Sequence, residues 1–112
     1  MRTSLLLLAL AAGLTLAAPA VAADDDDAII ITIKDHKFSP AEVKVPANKR
    51  LIVTVVNDDP TPEEFESKSL RVEKIIAGKS QGAVRIGPLK PGRYGFFGEF
   101  HEATAQGAVI AE

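Results

Sequence analysis

Two short segments of this chain concentrate the residue types that bind metal ions. Tyr94-Gly-Phe-Phe-Gly-Glu-Phe-His-Glu-Ala-Thr-Ala-Gln-Gly107 reads as a strand ending in a loop, with His101 set between Glu99 and Glu102. Thr61-Pro-Glu-Glu-Phe-Glu-Ser67 adds the carboxylates of Glu63, Glu64 and Glu66. Carboxylate oxygens beside an imidazole nitrogen suit iron, manganese or zinc better than Cu(I), which prefers thiolate and thioether donors. Cu(II) also accepts nitrogen and oxygen ligands. Oxygen donors favour the higher charge, so Fe(III) is stabilised over Fe(II). The chain has no cysteine, and its one methionine is Met1. Sulfur-dependent metal chemistry is therefore excluded.

The elements that must position these residues read as β throughout. Ile29 to Ile33 is a β-branched run that ends in Lys34-Asp-His-Lys37. Phe38-Ser-Pro40 makes a bend, Val43-Lys-Val45 alternates, and Arg50 to Val56 is a second β-branched strand stopped by Asn57-Asp-Asp-Pro60. Phe65 to Ser69, Leu70 to Ile76, Ala83 to Ile86, Arg93 to Phe97 and Gly107 to Ala111 follow, separated by Gly- and Pro-bearing turns. No segment carries a helical apolar stripe, and the one place for a helical turn is Pro62 to Glu66. Short strands with turn signals roughly every 8–12 residues predict an all-β Greek-key sandwich of about 7–8 strands. Strand alternation puts Glu63 and Phe65 on one face and Glu64 and Glu66 on the other. With Phe65 inward, Glu63 lies at the rim of the core.

Residues 1–23 carry the marks of a cleaved leader. Arg2 is a short positive start, Leu5 to Leu16 is apolar, and Ala20-Val-Ala22 fits a small-residue cleavage site. The apolar run falls short of the ~20 residues of a membrane span. The expectation is secretion to the periplasm. Residues 24–28 form an acidic tail headed by Asp24 to Asp27, most simply solvated, and 29–112 form one domain. Loss of Arg2 with the leader makes the chain one charge more acidic than its whole-chain net of −2. That balance argues against nucleic acid as a partner.

The order of these signals resembles the cupredoxin family of small copper-binding sandwiches. Phe38-Ser-Pro-Ala-Glu-Val-Lys-Val-Pro-Ala-Asn-Lys-Arg-Leu-Ile-Val-Thr-Val-Val-Asn57 is similar to the family's opening bend, strand, turn and strand ending in Asn. Leu89-Lys-Pro-Gly-Arg-Tyr-Gly-Phe96 is similar to the family's later Leu-x-Pro-Gly-x-Tyr-x-Phe strand. The resemblance aligns Gly98 with the family's ligand Cys, His101 with its ligand His, Gln106 with its last ligand, and Glu63 with its first His. A type-1 copper centre is thus not expected, nor is blue-copper electron transfer. The same resemblance brings the end of the first strand to this pole, which adds Asp35 and His36.

Within the family, the chain most resembles a cysteine-free periplasmic branch that accompanies bacterial iron permeases. The resemblance implies an iron or copper ion held by His101, Glu63, Glu66, Glu99 and His36, with Glu64, Glu102, Asp35 and Gln106 as further candidates. It implies delivery of iron to an inner-membrane permease together with other periplasmic subunits, or assistance to Fe(II) oxidation. An incomplete ligand set invites completion across a homodimer. Two other readings stand beside this one. One is a metal-free adaptor that docks through the aromatic stretch Phe96 to Phe100; the other is a copper-handling protein. Each candidate also has a plain reading, as a surface carboxylate, a loop histidine or, for the three phenylalanines, core and rim packing.

Overall fold

The computed structural model describes residues 28–112. The expected leader and Asp24 to Asp27 lie outside the described residues. Among the described residues nine strands form, in order β1 (Ile29–Lys34), β2 (Lys37–Ser39), β3 (Glu42–Val45), β4 (Leu51–Asn57), β5 (Glu63–Ser67), β6 (Val72–Ile76), β7 (Ser80–Ile86), β8 (Gly92–Gly98) and β9 (Gln106–Ala111). One sheet runs β2-β1-β4-β7 and the other β3-β9-β8-β5-β6. The all-β sandwich is as expected, with one strand more than the sequence indicated. The extra strand is β2, which pairs with β1 through Thr32↔Ser39 and Ile33↔Phe38 where only a bend was expected. Among the described residues, no helix is long and apolar enough to cross a membrane.

Alternation along each strand builds the core. In β4, Leu51, Val53, Val55 and Asn57 are buried while Ile52 is exposed. In β1, Ile29, Ile31 and Ile33 point inward, and the strand lies parallel to β4 with Ile31 opposite Val55. Three aromatic rings fill the layer beneath one pole. Phe38 meets Phe65 and Phe96 edge-on at 5.8 and 5.1 Å, and Phe65 and Phe96 lie 4.9 Å apart. Such contacts stabilise beyond the area they bury.

The Pro62 to Glu66 stretch is strand from Glu63 onward, not a helical turn. Its residues pair with β6 from Glu63↔Ile76 to Ser67↔Val72, and Phe65 lies opposite Gly98 of β8. Among the described residues, the helical turn is instead a 3-10 turn at Glu99–His101, after β8. Three connections meet at the pole above the aromatic layer: the β1–β2 turn, the β4–β5 loop and the β8–β9 loop.

Candidate metal centre

Glu63 is the most deeply buried carboxylate among the described residues, at 3% exposure. Its position follows from β5, whose inward residues are Glu63, Phe65 and Ser67. Burial of a carboxylate is costly unless its oxygens find donors, and Glu63 finds three. Oε1 accepts the amides of Phe100 at 2.9 Å and Glu64 at 3.0 Å. Oε2 accepts from Nδ1 of His101 at 2.6 Å. The 3-10 turn serves this contact by aiming both the Phe100 amide and the His101 ring at β5. The backbone bonds from Gly98 N to Ala105 O and from Ala105 N to His101 O hold the loop closed behind it.

His36 completes the cluster from the other sheet. Its ring lies flat on His101, with centroids 3.5 Å apart and planes 11° from parallel. Both His36 and Asp35 have positive φ, 59° and 53°. That left-handed pair is the conformation a two-residue hairpin needs. Asp59, in the β4–β5 loop, accepts both turn amides, from Asp35 at 2.7 Å and His36 at 3.0 Å. Burial pushes the Asp59 carboxyl upward, but those two amide bonds and the nearby imidazoles outweigh it and hold the group below its ordinary value.

The nine residues expected at the site fall on two faces. Glu63, His101 and His36 meet at the core-side rim, with Asp35 in the same turn. Glu66 and Glu64 point from the opposite face of β5, as period-two alternation dictates. There their oxygens come within 4.8 Å of one another and of Glu73. Glu64 is raised above its ordinary range first by a hydrogen bond shared with Glu73, then by burial and by the charges of Glu73, Glu66 and Glu99. Glu66 is raised by desolvation and by Glu99 and Glu73, with Lys68 opposing and Glu102 adding a smaller push. Glu99 and Glu102 are exposed and belong electrostatically to this outer group. Gln106 is exposed, and its amide donates to the carbonyl of Glu102 at 2.9 Å. The structure therefore does not bring Glu66 or Glu99 to the Glu63–His101 pair.

Two residues at this pole escaped the sequence reading. Asp59 was read only as turn chemistry within Asn57-Asp-Asp-Pro60, yet it is 7% exposed and bound across to the β1–β2 turn. Asn57 is 1% exposed and braces the loop. Its side-chain amide donates to the carbonyls of Thr61 and Ile76, and its oxygen accepts from the Asp59 amide.

A type-1 copper centre does not fit these residues. A β-carbon on residue 98 would lie 2.7 Å from Cδ of Glu63 and 2.8 Å from Cβ of Ala105. The Glu63 carboxyl group thus fills the room that a side chain at 98 would use. An ion that takes oxygen and nitrogen donors suits the chemistry of Glu63 Oε2 and His101, whereas His36 stacks face to face on His101, so the in-plane nitrogens of the two rings do not point at one ion.

A two-sheet sandwich with an imidazole in the β8–β9 loop at one pole defines the cupredoxin class of architecture. Residues 6–111 match the family described as "Cupredoxin-like domain", and the chain belongs to that family. Uncharacterized protein RP394 of Rickettsia prowazekii (strain Madrid E) is 49% identical over 80 residues. The match covers 71% of this chain and 64% of that relative, so the chain spans under two thirds of its length. Among solved structures, amicyanin from Paracoccus versutus is 26% identical with a TM-score of 0.61, covering 82% of this chain and 90% of that one. A purple cupredoxin from Nitrosopumilus maritimus superposes with a TM-score of 0.59 at 18% identity, covering 75% of this chain and 99% of that one. A reduced Cu(I) form of an amicyanin mutant gives 0.63 at 18% identity, covering 76% and 82%.

Proposed function

We propose that this protein is a metal-binding component of a ferrous-iron uptake system that works in the periplasm and passes iron to an inner-membrane permease. The carrying observation is the Glu63–His101 contact beneath His36, an oxygen and nitrogen donor set built into a copper-protein fold that has lost its sulfur. Glu63 Oε2 and His101 would hold the ion, with His36 stacked on the His101 ring. Bound there, iron or Cu(II) would supply a positive charge that the buried carboxylate matches. Glu63 is already oriented by the Phe100 and Glu64 amides, so it loses little freedom on binding. The expected leader and the resemblance to permease-associated cupredoxins support the place of action. Binding and delivery, rather than catalysis, is the activity proposed.

A metal-free adaptor is the second reading, and one observation favours it. Every oxygen of Glu63 has a protein donor, and Phe100 stands 46% exposed beside the site. Phe96 is buried and Phe97 half-buried, so Phe100 would carry most of that contact.

Equilibrium dialysis of the mature protein against Fe(II), Fe(III), Cu(II) and Zn(II) separates the two. The metal reading expects one site for at least one of these ions, lost in His101→Ala and kept in Glu66→Gln. Binding no stronger than in His101→Ala would sink it and leave the adaptor.

A further inference from the structure

The two poles of the sandwich differ in charge. Asp35, Asp58, Asp59, Glu63, Glu99 and Glu102 stand at the pole of the candidate metal centre. β4 and β7 run from there to the other pole, from Asn57↔Ser80 to Leu51↔Ile86. At that far end Arg50 and Arg85 are exposed and line, with Ile52, an open groove between the two strands. Ile52 lies opposite Arg85, and the pleat turns both to the outer face with Arg50. Among the described residues neither arginine makes an ion pair, whereas Arg93 holds Glu42. Glu112 also reaches this end, but its backbone is bonded to Val45 and Ala47 on the β3 side. The chain enters the fold at the same corner. β1 begins at Ile29 and lies parallel to β4, with Ile29 opposite Val53. Carried backward, that register sets residue 28 beside Ile52 and residue 26 beside Arg50, and the pleat gives both the outer side. Asp24 to Asp27, outside the described residues, are thus tethered within ~16 Å of Ile29 at ~3.3 Å per residue.

We propose that Asp24 to Asp27 dock on Arg50 and Arg85, so that the chain's own acidic run fills the basic groove at the pole opposite the candidate metal centre. Opposite charge and the entry point of β1 select this occupant. One exposed ion pair contributes little. Here several carboxylates on one short tether face two arginines, and the tether keeps their effective concentration high. The docking covers cations that another acidic surface would otherwise meet. It leaves the carboxylate-rich pole as the exposed charged face of the molecule. None of this depends on whether the candidate metal centre takes an ion.

The chain has no cysteine, so Asp24→Cys in the mature protein carries a single nitroxide label. Paramagnetic broadening of amide resonances then reads which surface the label visits. Docking predicts strong broadening at Arg85 and Gly87 on the β7 side and weak broadening at Val45 and Ala47 on the β3 side. That asymmetry should be lost when Arg50→Gln and Arg85→Gln are combined, and lost again when Asp25→Asn, Asp26→Asn and Asp27→Asn neutralise the run. Salt at about 0.5 M should also weaken it, because exposed charges are screened. Both arginines are exposed, and a thermal melt of the double variant checks that the fold is kept. Equal broadening on the two sides overturns the proposal, as does an asymmetry that survives both the arginine substitutions and the salt. Broadening in an unlabelled copy mixed with the labelled one would place the acidic run on a second molecule, and likewise overturns it.

Discussion

The carboxyl carbon of Glu63 lies 2.7 Å from the point that a β-carbon on residue 98 would occupy. The two residues sit on paired strands, with Phe65 of β5 opposite Gly98 of β8. An acidic side chain from one strand therefore uses the space that its neighbour leaves empty. The glycine at 98 and the glutamate at 63 are two halves of one packing arrangement. Restoring a side chain at one requires a change at the other.

Gly98→Ala is accordingly expected to destabilise the fold by about 1–3 kcal/mol, the usual cost of overpacking a filled interior. In a Glu63→Ala background that cost should shrink, although the methyl of Ala105 at 2.8 Å keeps part of it. Urea unfolding of the four proteins in the cycle measures the coupling. Additive costs would show that the carboxylate does not occupy this space. By the same geometry, Gly98→Cys alone should bind Cu(II) without the intense blue colour of a thiolate centre.

Glu63→Gln isolates charge from shape. The amide oxygen can still accept from Phe100 and Glu64, and its nitrogen can donate to His101 Nδ1 in the other tautomer. The fold is expected to keep its stability within about 1–2 kcal/mol, since one hydrogen bond is exchanged rather than orphaned. Metal affinity should fall by at least roughly tenfold, because a neutral oxygen replaces an anionic one. Calorimetric titration beside thermal melts checks both halves. Equal metal affinity in the two proteins would remove Glu63 from the donor set.

Much of this fold was legible from β-branched alternation, and β4 shows why. Its inward Leu51, Val53 and Val55 recur with the pleat, so the pattern and the burial agree. β2 was not legible, because Lys37–Ser39 is too short to carry a period and owes its pairing to β1. The Pro62 to Glu66 stretch was ambiguous for a similar reason. Its polarity hid a strand whose inward residues are a phenylalanine, a serine and a buried acid. At the site, His101 and Glu63 stood out by type and spacing. The separation of Glu66 from Glu63 was implied by alternation and confirmed by the outer carboxylate group. Asp59 could not be found from local sequence, because its role is made by two amides that only the folded sheet brings near.

The outer carboxylates make stability fall with rising pH. Glu64 binds its proton more tightly when folded than its ordinary value of 4.5 implies, with the Glu73 hydrogen bond as the largest cause. A raised acid is favourable to the fold while protonated, below the unfolded value, and unfavourable once pH passes the folded one. Asp59 runs the other way: its depressed value supports the fold above 3.8 and that support is lost as pH falls through the folded value. Glu73→Gln removes the repulsion without touching Asp59. The metal-free variant is expected to be more stable than wild type at neutral pH, with the gap closing near pH 4. Added salt should narrow the gap by screening these exposed charges. Denaturant melts at two pH values and two salt concentrations test this, and a gap independent of pH would refute it.

His36→Gly sets stability against function at a single position. Histidine at φ 59° carries the left-handed penalty of a β-carbon, on the order of 1 kcal/mol, which glycine escapes. Against this, glycine makes the unfolded chain more flexible by about 0.4–1 kcal/mol, and the ring contact with His101 is lost. These effects nearly cancel, so the metal-free variant should melt within a few degrees of wild type. The Asp59 bonds to the turn survive, because they use backbone amides. Metal affinity should nevertheless drop as far as in His36→Ala, since both variants lose the ring that stacks on His101. A histidine kept only for the hairpin would predict the opposite: a clear change in melting and unchanged metal binding. The pairing of a melt with a titration reads directly whether the side chain above His101 serves the fold or the metal.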